Sequence, residues 1–205
     1  MSVTRRLAAI LAADVAGYSR LMGADEQGTL QRLKTTRANV LDPSIVQYRG
    51  RIVKTTGDGL LVEFTSVVDA LRCATEIQSA MAKDSAGIAA EERIEFRIGI
   101  NVGDIVVEDG DIFGDGVNVA ARLEGLAEPG GICVSARVQE DAAGRLDLTF
   151  DDLGEQSSKT LLDRCMSTGF VSLRRKTRRN LRRSTEHRCC RYPTSRQSRC
   201  CPSPI

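Results

Sequence analysis

The chain has 205 residues, 41% of them hydrophobic, which is enough for one domain with a proper core and some additional length. No stretch approaches the twenty apolar residues of a membrane span, and no cleavage signal follows the first residues, so we expect a cytoplasmic protein without a membrane span. The formal net charge of +2 is unevenly distributed, because residues 171–205 hold 11 of the 29 basic residues and one of the 27 acidic residues.

The first predicted element is a strand over Leu7–Ala13, an apolar run too short for a helix. It ends at Asp14, and Gly17 lies just beyond. Asp25 is a suitable N-cap, and apolar residues recur after it at roughly helical spacing as far as Ile45. The pattern therefore predicts one long helix after the first strand.

Two β-rich runs follow, over residues 51–54 and 60–64. The segment between them contains Asp58 flanked by glycines that permit the tight reversal of a hairpin. Apolar residues then share one helical face over 66–81, and alternation over 93–102 predicts a further strand. The order βαββαβ predicts an α+β fold with a ferredoxin-like sheet and helices on one face.

The remaining predicted elements are a second hairpin arm, a helix and two short strands, at Ile105–Val107, Gly116–Leu126, Ile132–Val134 and Leu146–Phe150. After Ser157 the apolar periodicity is lost and arginine and cysteine accumulate. We therefore divide the chain into a domain over residues 1–160 and a basic tail over 161–205 that we expect to be disordered.

The chemistry open to the domain is limited, because the chain's single histidine, His187, lies in the tail. This argues against His-dependent nucleophiles and His-ligated zinc, and it leaves carboxylates, cations and glycines. Asp14 at a strand end and Asp58 in the adjoining turn are expected to converge, and their hard oxygen ligands suit Mg²⁺ or Mn²⁺. Taken singly, Asp14 fits a helix cap and Asp58 a turn residue. Their joint placement favours the metal interpretation.

A small glycine-containing segment follows the first aspartate. Gly17, Tyr18 and Ser19 open the next helix, and the free N–H groups and positive dipole at a helix start favour a phosphate. Metal ions and phosphate would therefore meet at one place.

Three motifs occur in order along the domain: ADVAGYS at residues 13–19, KTTGDG at 54–59 and DIFGDGVNVAAR at 111–122. They resemble the successive signatures of class III adenylate and guanylate cyclase catalytic domains, and the resemblance covers residues 7–159. It implies the class III cyclase catalytic fold and the conversion of ATP to cyclic AMP and pyrophosphate.

The resemblance implies that Asp14 and Asp58 bind two metal ions, Mg²⁺ or Mn²⁺, with the backbone carbonyl of Val15 as a further ligand. It assigns Lys54 and Asp111 to the purine. This pair points to ATP, because guanylate cyclases of the family typically place Glu and a small polar residue at these positions.

The resemblance also implies transition-state roles for Asn118 and Arg122, which share one helical face at the i, i+4 spacing. Asn118 would orient the ribose, and Arg122 would stabilise charge on the α-phosphoryl oxygens. Lys159 corresponds to the family's phosphate-binding lysine. Asp104 departs from the pattern, because some relatives have an arginine there that reaches the phosphates.

Metal-binding and purine-binding residues of one family site come from different protomers, so the resemblance implies a homodimer with two equivalent sites.

The family pattern is lost after Ser157, and our hypothesis for the tail is a reading-frame error. If one nucleotide is restored before the codon of Ser158, the codons that follow can encode Leu-Lys-Asn-Ile-Ala-Arg-Pro and then an alternating strand. On this hypothesis Lys159 survives, but the strand that should hold it is absent and activity is weakened or lost.

Other functions stay open. The chain could be a catalytically impaired cyclase-like dimerisation module or a guanylate cyclase, and the basic tail could bind nucleic acid or an anionic membrane through charge alone. We expect no specific nucleic-acid partner, because the aromatic residues of the tail are only Phe170 and Tyr192.

Overall fold

A single mixed sheet organises the chain. The structure, a computed structural model, describes residues 4–108, 110–152 and 170–174. The strands within these ranges are Thr4–Val15 (β1), Arg51–Thr56 (β2), Gly59–Phe64 (β3), Phe96–Glu108 (β4), Asp111–Phe113 (β5), Ile132–Ser135 (β6), Thr149–Asp152 (β7) and Phe170–Arg174 (β8). They lie in the order β2-β3-β1-β4-β6-β8-β7, and β5 pairs with the end of β4. The described pairs are antiparallel apart from β4 with β6.

The helices are Tyr18–Ala24 (α1), Glu26–Thr36 (α2), Asp42–Gln47 (α3), Val67–Asp84 (α4), Asp115–Leu126 (α5) and Ala136–Ala142 (α6). Asp25 caps α2 by accepting a hydrogen bond from the Gly28 N–H at 2.9 Å, as its sequence position predicts. Among the described residues, no helix combines the length and the apolar character that crossing a bilayer requires.

Strand β1 carries core residues on both faces of the sheet, because its side chains alternate. On one face, Ala9, Leu11, Ala13 and Val15 pack against α1–α4 and α6. On the other, which we call the α5 face, Ala8, Ile10 and Ala12 pack with Ala120 of α5. The α+β class and the ferredoxin-like order β2-β3-β1-β4 are confirmed, with the helices of that unit on one face. Helix α5, outside the unit, covers the opposite face.

Helix α5 approaches β4 so closely that backbone meets backbone. A Cβ placed on Gly99 would lie 2.2 Å from the backbone N of Glu124, and one on Gly103 would lie 3.3 Å from Cα of Gly116. The Asn101 side chain adds a hydrogen bond of 3.0 Å from Nδ2 to the Gly116 carbonyl. Both ends of α5 are therefore held at a fixed distance from the sheet.

The structure divides one predicted helix and joins two predicted strands. The single helix predicted from Asp25 to Ile45 is α2, a π turn over Arg37–Leu41 and α3. Pro43 near the start of α3 has no N–H to donate, so regular helical bonding cannot run through it. The strands predicted over 93–102 and 105–107 are one strand, β4, since Gly103 is the site of a close backbone contact and not a break.

The sequence does not predict every element after residue 110. Neither β5 nor α6 has a counterpart among the predicted elements, and β7 begins at Thr149, three residues after the predicted start. Phe170–Arg174, which the predicted disordered tail includes, is strand β8 and pairs with β6 and β7. This part of the expected disordered tail is therefore a strand, and its Phe, Val and Leu favour β structure.

The other predictions for this region concern residues 153–169 and 175–205, outside the described residues. They comprise the boundary at residue 160, disorder of the remaining tail, the reading-frame hypothesis and the place of Lys159. They stay predictions.

We expect Gly99→Ala to lower the free energy of unfolding by about 3 kcal/mol, because its new methyl group would meet helix backbone that no rotamer change can move. The matched control is Gly125→Ala on α5, where a Cβ meets nothing within 4 Å and should gain up to about 1 kcal/mol. Urea unfolding measures both values. Equal unfolding midpoints for Gly99→Ala and wild type would contradict the direct backbone contact.

Candidate active site

The side chains of Asp14 and Asp58 meet at one end of β1. Asp14 is the penultimate residue of β1, and Asp58 lies in the turn between β2 and β3. Ala13 pairs with Leu60 in the antiparallel register, which brings the turn beside the strand end. The two carboxyl groups are close enough for Asp14 to raise the pKa of Asp58. The structure thus brings together the two aspartates that the sequence predicts to converge.

The proximity of Asp14 and Asp58 makes it unfavourable for both carboxyl groups to be ionised at once. Burial raises the pKa of Asp58 above its ordinary value, and the hydrogen bond and charge of Asp14 raise it further. The nearby guanidinium of Arg97 partly offsets these effects. Asp58 therefore holds a proton more readily than an isolated aspartate would.

Arg97 links the aspartate pair to α5. It faces Asp14 in the β1–β4 register, and its Nη2 lies 3.0 Å from Oδ2 of Asp14 and 3.2 Å from Oε1 of Glu124. Burial raises the pKa of Glu124, Arg97 opposes this effect, and the charges of Asp14 and Asp58 add to it. Three carboxylates therefore surround one guanidinium and leave an excess of negative charge.

Sequence reasoning missed Arg97 and Glu124. A signal was present, because Arg97 interrupts the alternating apolar residues Phe96 and Ile98 and must therefore face away from their core. Its partner Glu124 becomes visible only once α5 is placed on that face.

A second polar pair lies on β2 and β5. Nζ of Lys54 is 3.4 Å from Oδ2 of Asp111, and both side chains are partly exposed. The other carboxylate oxygen of Asp111 accepts a hydrogen bond of 2.9 Å from the Ile112 N–H. The two residues that the resemblance assigns to the purine are thus adjacent, and the carboxylate is anchored to the backbone.

The predicted phosphate segment begins α1. Gly17 adopts the left-handed conformation, with φ 68°, and precedes the helix as its N-cap. Tyr18 packs partly against the core, whereas Ser19 is exposed. The Val15 side chain is buried and has no donor atom, so only its backbone carbonyl could serve as a ligand. The roles of these four residues stay predictions.

Asn118 and Arg122 are both exposed on α5. A cavity of about 600 Å³ lies at the start of the same helix, lined by residues that include Asn101, Asp104 and Ser135. Within the described chain, none of the predicted site residues lines it. Asn118 and Arg122 lie on the exposed surface instead.

The donor set of Asp14 and Asp58 fits a hard divalent cation. Two carboxylates in contact, with a third nearby, carry more negative charge than Arg97 neutralises, and a divalent ion would relieve their repulsion. The described residues hold no cluster of three or more His, Cys, Asp or Glu side chains placed to enclose a metal. Remaining ligands would have to come from backbone, water or substrate oxygens.

Two solved structures with a similar fold are named as cyclases. One, from Silicibacter pomeroyi, is described as an adenylate/guanylate cyclase/hydrolase; it is 50% identical, and the match covers 85% of this chain and all of that chain with a TM-score of 0.78. The adenylyl cyclase CyaB from P. aeruginosa is 22% identical, over 87% of this chain and 98% of that chain, with a TM-score of 0.70. The second likeness shows the fold alone.

A family model described as the adenylate and guanylate cyclase catalytic domain matches residues 4–168. The chain belongs to this family of class III cyclases.

Two curated relatives are named as adenylate cyclases. "Putative adenylate cyclase 3" of Rhizobium meliloti (strain 1021) is 50% identical over 160 residues, or 78% of this chain. An adenylate cyclase of Streptomyces coelicolor is 34% identical over 143 residues, or 68% of this chain. The chain spans 27% and 35% of the length of these two proteins.

We expect Asp58→Asn to stabilise the metal-free protein at neutral pH. The pKa of Asp58 is higher in the folded protein than in the unfolded chain, where it is about 4. The carboxyl group therefore contributes to stability below the pKa of the unfolded chain, and this contribution is lost as the pH rises through the pKa of the folded protein. The gain should stay below about 1 kcal/mol, because solvent screens a partly exposed group.

Thermal unfolding with EDTA from pH 3 to pH 8 tests this expectation. Asp84→Asn, at the exposed end of α4, controls for loss of a surface carboxylate. A variant that is less stable than wild type throughout this range would contradict the pKa direction.

Proposed function

We propose that the chain is an adenylate cyclase, a lyase that converts ATP to 3′,5′-cyclic AMP and pyrophosphate. The observation that carries this proposal is the contact of Lys54 with Asp111 in a domain that also pairs Asp14 with Asp58. An ammonium group donates and a carboxylate accepts, which complements N1 and the N6 amino group of adenine. Guanine presents the opposite pattern, with an acceptor at O6 and a donor at N1.

In the proposed reaction the 3′-hydroxyl of ATP gives up its proton to solvent and its oxygen bonds to the α-phosphorus, while the bond from that phosphorus to the bridging oxygen breaks and pyrophosphate leaves. Two Mg²⁺ or Mn²⁺ ions bound by Asp14 and Asp58 would acidify the 3′-hydroxyl and neutralise the triphosphate. Asn118 would orient the ribose, and the fixed guanidinium of Arg122 would stabilise charge on the α-phosphoryl oxygens. Lys159 would bind a phosphate.

The proposed enzyme is a homodimer with two shared sites. Asn118, Arg122 and Lys54 lie on exposed surface and Asp111 is partly exposed, which supports completion of each site by a second protomer. Gly17, Tyr18 and Ser19 would contribute to phosphate binding beside the metal aspartates. The cytoplasmic location expected from the sequence stays a prediction.

Purine selection can be tested with the purified protein and Mn²⁺. We expect kcat/KM for ATP to exceed that for GTP by at least about tenfold, because a mismatched donor and acceptor leave buried polar groups unpaired. Lys54→Glu combined with Asp111→Ser should reverse the preference, whereas Asp58→Ala should abolish turnover of both nucleotides. Asp84→Ala is the control. A folded dimer that forms no cyclic nucleotide from ATP or GTP would favour the impaired dimerisation module.

The shared site can be tested by mixing two variants. Asp58→Ala should be inactive and Arg122→Ala strongly impaired, since each affects both sites of its own homodimer. A heterodimer of the two keeps one intact site, so a 1:1 mixture with random exchange should recover about a quarter of wild-type activity. Cyclic AMP formation after denaturation and joint refolding measures this recovery. No gain over the separate variants would contradict sharing between protomers.

A further inference from the structure

A buried carboxylate with two partly exposed arginines, which we call the Glu63 clamp, lies on the α5 face and consists of Glu63, Arg6 and Arg51. The residue Glu63 of β3 is only 6% exposed. One of its carboxylate oxygens binds Arg6 of β1, and the other accepts a hydrogen bond of 3.0 Å from Arg51 of β2. Burial acts to raise the pKa of Glu63, but the two guanidinium groups outweigh burial and lower it. The carboxylate is thus held charged at the junction of three strands.

Arg51 makes a further contact that Arg6 does not share in the described structure. Its Nη1 donates a hydrogen bond of 3.0 Å to the carbonyl of Gly110. Gly110 has a positive φ of 86° and directly precedes Asp111, the first residue of the three-residue strand β5. One guanidinium therefore joins a buried carboxylate to the turn that carries the purine acid.

A β-bulge places Arg51 and Lys54 on the same side of β2. Arg51 pairs with Glu63 and Lys54 pairs with Leu61, and the register shifts between Ile52 and Lys54. In a regular strand, residues three apart would face opposite ways. The extra residue, Val53, is absorbed by the bulge, so both cations reach the segment around Asp111.

We propose that Arg51 and Glu63 are positioning residues for purine selection, which act by holding the Gly110 turn so that the Asp111 carboxylate stays beside Lys54. This inference rests on the proposed function, since it requires Lys54 and Asp111 to bind the purine. Glu63 orients the Arg51 guanidinium by accepting a hydrogen bond from Nη2, and Nη1 of the same group holds the turn by donating to the Gly110 carbonyl. Neither residue needs to touch the nucleotide.

Arg6 supplies a matched control, because it binds the same buried carboxylate without the contact to Gly110. Arg6→Gln and Arg51→Gln should both lower the melting temperature, since each removes one cation from a buried charge. We expect Arg51→Gln alone to raise the KM for ATP and lower the ATP-to-GTP ratio of kcat/KM, each by about tenfold, with kcat changed less than about twofold. Arg51→Lys should recover part of the ratio.

A double-mutant cycle tests whether Arg51 acts through Asp111. If it does, Arg51→Gln should add little to the loss of selectivity caused by Asp111→Asn. Additive losses, or equal changes of selectivity in Arg6→Gln and Arg51→Gln, would reduce the clamp to a purely structural role and overturn the proposal.

Equilibrium binding of 3′-deoxy-ATP, which lacks the attacking hydroxyl, separates this inference from the proposed activity. A wild-type protein that binds 3′-deoxy-ATP but turns over neither nucleotide would contradict the cyclase proposal alone. In that protein, weaker binding in Arg51→Gln but not in Arg6→Gln would still support the positioning role. Unchanged binding in Arg51→Gln, or no purine binding by wild type, would overturn it.

Discussion

Two carboxylates in contact repel each other, and the arrangement of the sheet around Asp14 and Asp58 is what keeps them together. The β1–β3 register brings the turn beside the strand end, and Arg97 in the next strand supplies a single compensating charge. The same guanidinium reaches Glu124, so the balance of charge also involves α5. The hydrogen bond from Asn101 to the Gly116 carbonyl then holds this helix against β4. Among the described residues, these three carboxylates therefore carry more negative charge than Arg97 neutralises.

The two halves of the proposed site are braced by different means. Backbone contacts between β4 and α5 hold the elements around the aspartate pair, whereas the Glu63 clamp and the Gly110 carbonyl hold the purine pair. Arg97 belongs to the first arrangement and Arg51 to the second. Arg97 reaches Asp14 and Glu124 through one nitrogen, Nη2, whereas Arg51 uses both arms of its planar fork, one for Glu63 and one for the Gly110 carbonyl. Loss of one brace should therefore leave the other in place.

Local sequence signals predicted the parts of the fold that depend on nearby residues. The hairpin turn at Asp58, the cap at Asp25 and the order of the ferredoxin-like unit follow from glycines, caps and apolar periodicity. The side on which α5 packs, the partners of Arg97 and the bulge at Val53 depend on pairing between distant strands, which periodicity does not encode. The motifs marked the polar pairs, but the residues that hold those pairs belong to no motif.

The bulge in β2 has a consequence for variation in chain length. Because Val53 is the residue in excess over the partner strand, a chain that lacks it would keep Arg51 opposite Glu63 and Lys54 opposite Leu61. Loss of a residue from β3 instead would turn Glu63 or Leu61 toward the opposite face. Single-residue deletions should therefore be tolerated on one arm of this hairpin and not on the other, and related chains can differ in length at Val53 without losing the purine pair.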